Sequence, residues 1–151
     1  MSANNWVIAI FLLVIVCCVP SFIHVFHSAA LAKNRTTDLF RLRQVVNSML
    51  LYLDDNDGVF PPEMGSSAML QTTLSRYQVG PSGQLFGNQE GIFSEIVGNA
   101  KLEGLRADKL DYPNKTIEVF SQMPEGGGSW DVGYVDGHTG QTNHLDLHVD
   151  L

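Results

Sequence analysis

The sequence predicts an α+β fold: a long N-terminal helix, membrane-spanning in its first half, packed on a small antiparallel β-sheet. Three observations carry this prediction. An uncharged, apolar run extends from Trp6 to Phe26. A stripe of apolar residues at helical period follows it, from Leu39 to Leu53. Strand-like alternation with turn signals fills the last third of the chain.

The first run has 21 residues, and about 20 suffice to cross a bilayer as a helix. Trp6 suits one membrane interface, and His24, His27, Lys33 and Arg35 suit the other. Pro20 is expected to kink the helix. Trp6, Ile10, Leu13, Val16, Pro20 and Phe26 are the residues expected to pack against a neighbour in the membrane. Cys17 and Cys18, the only cysteines, lie inside the run and suit membrane packing better than a disulfide. A competing reading is a cleaved signal peptide ending at Ala30-Leu31-Ala32, although no Lys or Arg precedes the apolar run. A lipoprotein site at Cys17 fits less well, because Val16 stands where a small residue belongs. The chain thus divides at about residue 32, into a membrane or assembly half-helix (1–32) and a soluble domain (33–151).

Leu39, Leu42, Val45, Val46, Met49, Leu50 and Leu53 recur at three- and four-residue steps, with Arg41, Arg43, Gln44, Asn47 and Ser48 on the other side. Neither Gly nor Pro interrupts the sequence between Ser21 and Leu53, so one helix from Asn5 to Asp54 is expected, roughly 70 Å long. It stops at Asp54, Asp55, Asn56, Asp57 and Gly58, where Gly58 can take positive φ and Pro61-Pro62 forbid a return to helix. The acidic cluster does not follow the calcium-loop spacing, since no Glu lies six residues past Gly58. Downstream, Leu70, Leu74 and Tyr77 suggest a short amphipathic helix capped at Ser66-Ser67.

In the last third, Ile117-Glu118-Val119-Phe120 reads as a strand. Trp130 to Val135 reads as a second, turning at Asp136-Gly137. Residues 144–151 alternate without a break. As a strand they would set Leu145, Leu147, Val149 and Leu151 on one face, and His144, Asp146, His148 and Asp150 on the other. The polar face is either solvated or a metal site. His144 and His148, with Asp146, aim the same way, and His138 or Asp136 could add a ligand from the neighbouring turn.

A resemblance emerges from the order of these features. A helix apolar and then amphipathic, ending in Tyr52-Leu53-Asp54-Asp55-Asn56-Asp57-Gly58-Val59-Phe60-Pro61-Pro62, resembles type IV pilins and type II secretion pseudopilins. Asn99-Ala100-Lys101-Leu102-Glu103-Gly104, Tyr112-Pro113-Asn114-Lys115-Thr116 and the late Asp136-Gly137-His138 turn resemble a pilin-like family common in planctomycetes. The resemblance implies a structural subunit of an envelope filament or pseudopilus, assembled with other copies or related subunits, with its domain facing outward. The chain departs from the pattern: no Gly-Phe cleavage site is present, and no acidic residue precedes Asp38. The basic residues at 33, 35, 41 and 43 would place the domain on the cytoplasmic side by charge alone, against the family expectation.

Other function classes find little support. The net charge of −7 without a basic run argues against nucleic acid as a partner. Gly126-Gly127-Gly128 lacks the Lys-Ser/Thr ending of a phosphate loop, and no G-x-S-x-G or His-Glu-x-x-His occurs. No catalytic residue and no cofactor are expected, the possible divalent metal apart. A membrane-tethered, non-assembling binding domain is the alternative reading.

Overall fold

The computed structural model describes residue 23 and residues 38–78, 95–122 and 129–151. The chain divides into two compact units, Met1–Arg35 and Thr36–Leu151, and the fold below is that of the second. Residues 6–26 lie outside the described residues, Ile23 excepted. So do the assembly residues Trp6, Ile10, Leu13, Val16, Pro20 and Phe26. Among the described residues no helix is long and apolar enough to cross a membrane.

The fold is α+β. Helix α1 covers residues 38–55, and α2 covers Ser67–Leu74. A four-stranded antiparallel sheet follows, in the order β1-β2-β3-β4. Its strands are β1 (Glu95–Gly98), β2 (Ile117–Gln122), β3 (Trp130–Tyr134) and β4 (Thr139–Thr142). Sequential neighbours pair, so β1 and β4 form its two edges.

Helix α1 uses the stripe read from the sequence. Leu42, Val45, Val46 and Met49 are fully buried and Leu53 nearly so. Leu50 falls at the rim and is 37% exposed. The polar side is narrower than expected. Side-chain chemistry assigns Arg41 and Ser48 to it, yet both are buried. Their positions explain this: 38, 41, 45 and 48 follow one another at three- and four-residue steps, as the stripe does. Arg41 meets Asp38 at 3.2 Å, so one buried charge faces another. Ser48 turns its hydroxyl onto the Gln44 carbonyl at 2.9 Å.

The helix ends as the Asn/Asp/Gly cluster predicts. Gly58 N–H donates to Leu53 O at 2.8 Å, and Asn56 Nδ2 to Tyr52 O at 2.8 Å. The reversal needs two left-handed residues, Asp57 (φ 53°) as well as Gly58 (φ 73°). Residues 58–60 then lie antiparallel to residues 104–107, through Phe60 N–H to Leu105 O and Ala107 N–H to Gly58 O. That pairing leads Phe60 into the core beside Met64. Helix α2 begins at Ser66, whose hydroxyl accepts from Met69 N–H, and buries Leu70 and Leu74. Tyr77 follows it, edge-on to Tyr52 of α1 at 5.7 Å.

Register assigns the sheet faces. Val119 pairs with Gly133, and a Cβ on Gly133 would strike Val46, so this pair faces α1. Ile96 and Val135 join the same core. On the other face, Phe120 and Trp130 meet edge-on at 6.0 Å.

The alternating run at 144–151 is not a strand of the sheet. The ladder ends at Thr142, whose hydroxyl donates to His144 O (2.7 Å) and accepts from His144 N–H (3.2 Å). Trp130, the partner of Thr142, is the first residue of β3, so the ladder has reached the end of that strand. The tail keeps its alternation: Leu145, Leu147 and Val149 are half-buried, while His144, Asp146, His148 and Asp150 are exposed. Val149 packs against the core, and Asp111 N–H donates to Asp150 O at 3.3 Å.

Candidate functional site

The densest polar constellation sits at the β3–β4 turn. The turn is closed by Gly137 N–H to Tyr134 O at 2.9 Å, with Gly137 at φ 93°. Asp136 accepts the His138 backbone N–H at 3.2 Å and pairs with the His138 ring through Nδ1. The ring stacks on Tyr134, 4.0 Å between centroids and 10° from parallel. Burial alone would raise the Asp136 pKa, but its bonds to the His138 ring and backbone win and leave it lowered. All these contacts join residues within one five-residue stretch, and both partners of the ion pair are exposed. The arrangement braces a hairpin.

Beneath this turn the sheet carries a feature that sequence pattern missed. Ile117 pairs with Tyr134 and Val119 with Gly133, so Glu118 is the extra residue of a β-bulge. Its side chain is fully buried, and neither carboxyl oxygen has a hydrogen-bond partner. Burial pushes its pKa well above the ordinary carboxylate range, and the negative charge of Asp136 adds to that. Alternation along Ile117-Glu118-Val119-Phe120 puts Glu118 in solvent; only the bulge, which a single sequence does not announce, turns it inward.

Asn99 secures the same bulge. It is fully buried, and its Nδ2 donates to Ile117 O at 2.9 Å. Its Oδ1 accepts from Lys101 N–H at 3.1 Å, and its own N–H reaches Glu118 O at 2.7 Å.

The candidate metal ligands are engaged locally. His148 Nε2 pairs with Asp150 at 2.9 Å, and His148 N–H donates to Asp146 at 3.0 Å. His138 holds Asp136, and His144 belongs to the turn at Thr142. Among the described residues no group of three or more His, Cys, Asp and Glu is arranged to hold a metal ion.

Two open grooves border α1. One, about 550 Å³, lies at its C-terminal end between Leu53, Asp54, Asp57, Arg106 and Val135. There Arg106 is already forked onto Asp108, at 3.0 and 3.1 Å. The other, about 490 Å³, runs along the β4 edge between Leu39, Phe40 and Arg43 of α1 and Thr139, Gly140 and Gln141 of β4. Phe40 is 61% exposed there. These surfaces offer packing and backbone pairing; neither gathers a nucleophile with a base. Compared with known families, characterised proteins and solved structures, the chain matches none of them.

Proposed function

We propose that this chain is a structural subunit of an envelope filament, or of a secretion-associated assembly, of the type IV pilin and pseudopilin kind. The observation that carries the reading is the course of α1. An amphipathic helix lies on an antiparallel sheet through Val46 and Gly133 and ends in a turn at Asp57 and Gly58. An apolar run of 21 residues precedes it in the sequence. In this reading residues 6–26 cross the membrane and pack laterally with other copies, and the α+β domain faces outward. Close side-chain packing supplies the association, as it does between helices in lipid. The chain departs from the pilin pattern in having no acidic residue before Asp38, so in this reading packing alone supplies the contact.

Cross-linking of the full chain in membranes tests the proposal. Multimers joined through residues 6–26 are expected, and Ile10→Asp or Leu13→Asp should remove that contact. A strictly monomeric species overturns it. N-terminal sequencing of the mature chain, with protease accessibility in intact cells, reads processing and sidedness; digestion of the domain from outside is the expected result.

A further inference from the structure

The β4 edge and the C-terminal tail are each incomplete in a complementary way. Backbone hydrogen bonds alternate in and out along an antiparallel pair. Tyr134 N–H bonds His138 O at the head of the β3–β4 hairpin. Counting from there, the N–H and C=O groups of Thr139 and Gln141 point away from β3, toward the open groove. The groove has an apolar wall at Leu39 and Phe40, one cation, Arg43, and no acid. The tail at 144–148 has strand alternation but no ladder. Its one backbone-to-backbone bond among the described residues is at Asp150, beyond that stretch. Leu145 and Leu147 are only half-buried, and the tail's formal charges are Asp146 and Asp150.

We infer that residues 144–148 of one copy add as a fifth strand to the β4 edge of a second copy, with Leu145 and Leu147 against Phe40 and with Asp146 on the solvent face. The five-residue stretch is long enough to span the four residues of β4, and Val149 stays on its own core. An added strand there has one face toward α1 and one toward water, which is the division the tail already shows. A chain's own tail is held at Val149 on its core and at Asp150 by Asp111, so the occupant is another copy. Donor and acceptor are different surfaces, so the contact repeats head to tail. It does not depend on residues 6–26.

The test uses full-length chains in membranes, with Cys17→Ser and Cys18→Ser. A copy carrying Asn47→Cys, beside the groove, is mixed with a differently tagged copy carrying Asp146→Cys, and a short bis-maleimide is added. A product joining the two tags is expected. Lys101→Cys, beside the opposite edge of the sheet, should give none in place of Asn47→Cys. Thr139→Pro removes one outward donor and should cut the product about ten-fold with the circular dichroism unchanged. Leu147→Asp on the tail-bearing copy, which leaves β4 intact, should do the same. No joined product, as when a chain's own tail fills the groove, overturns the inference. So does a product indifferent to both substitutions. Ile10→Asp, which tests the membrane contact, should leave this product in place, so the two contacts fail separately.

Discussion

Gly133 of β3 lies directly under Val46 of α1: a Cβ at position 133 would stand 2.3 Å from Val46 Cγ2 and 2.9 Å from Val119 Cγ2. The helix approaches the sheet as closely as it does because this strand position carries no side chain. Gly133→Ala should therefore destabilise the domain by about 1–3 kcal/mol through overpacking. Removing the clashing methyls should recover part of that loss. Val46→Ala with Gly133→Ala should then be less harmful than the sum of the two single changes. Denaturant unfolding of the four species in a double-mutant cycle measures the coupling.

Glu118 gives the domain a pH dependence of definite sign. Its folded pKa is raised above the unfolded value. The stability it permits is present in full below the unfolded pKa and is lost as pH rises through the folded one. Glu118→Gln should flatten the stability profile across that window, from the ordinary glutamate range upward. Glu118→Met should stabilise the domain at neutral pH by about 1–3 kcal/mol, since it removes a buried group with no partner. Thermal unfolding at a series of pH values reads both effects. A wild-type profile that rises between weakly acidic and neutral pH, and loses that rise in Glu118→Gln, would contradict the assignment.

Asn99 holds two backbone carbonyls at the bulge, Ile117 O and Glu118 O, and the N–H of Lys101 in the turn it caps. Asn99→Ala leaves Ile117 O and Lys101 N–H without their partner and should cost about 1–3 kcal/mol. Asn99→Asp keeps the acceptor for Lys101 but sets a carboxylate against the Ile117 carbonyl. It should be worse at neutral than at acid pH, in contrast to Asn99→Ala, whose cost is independent of pH. Chemical denaturation at the two pH values distinguishes them.

Gly58 tests backbone strain in isolation. It sits at φ 73°, and a Cβ added there would find nothing within 4 Å, so Gly58→Ala meets no steric neighbour. Its cost should be that of the left-handed conformation alone, about 1–2 kcal/mol. Asp57→Gly, which relieves the second left-handed residue at φ 53°, should be neutral or mildly stabilising. Paired melting curves check both.

Features set by local chemistry were legible in the sequence. Leu42, Val45, Val46, Met49 and Leu53 declare the buried side of α1 by spacing. Ser66 caps α2, Gly58 ends α1, and Gly137 turns the hairpin, each because few residues suit the backbone there. Features set by tertiary partners were not legible. Arg41 reads as a surface residue by its charge, although its step from the stripe already places it beside Asp38 on a side that the domain buries. Glu118 reads as solvated until the bulge turns it inward. The tail alternates like a strand, but pairing needs a neighbouring strand, and β3 begins at Trp130, the partner of Thr142. The Asp136–His138 pair lay in the predicted turn, with Asp136 bonding the local backbone as turn chemistry suggests.

The contact between Val46 and Gly133 also orders events during synthesis. The helix leaves the ribosome early, while the strands that cover its apolar side come from the last third of the chain. Val46 therefore lacks Gly133 until the residues between them have been made, and long-range pairing of this kind is slow to close. A nascent chain must carry that part of the stripe uncovered until β2 and β3 arrive. Truncations that stop before Trp130 should consequently bind chaperones or aggregate rather than yield a shorter domain.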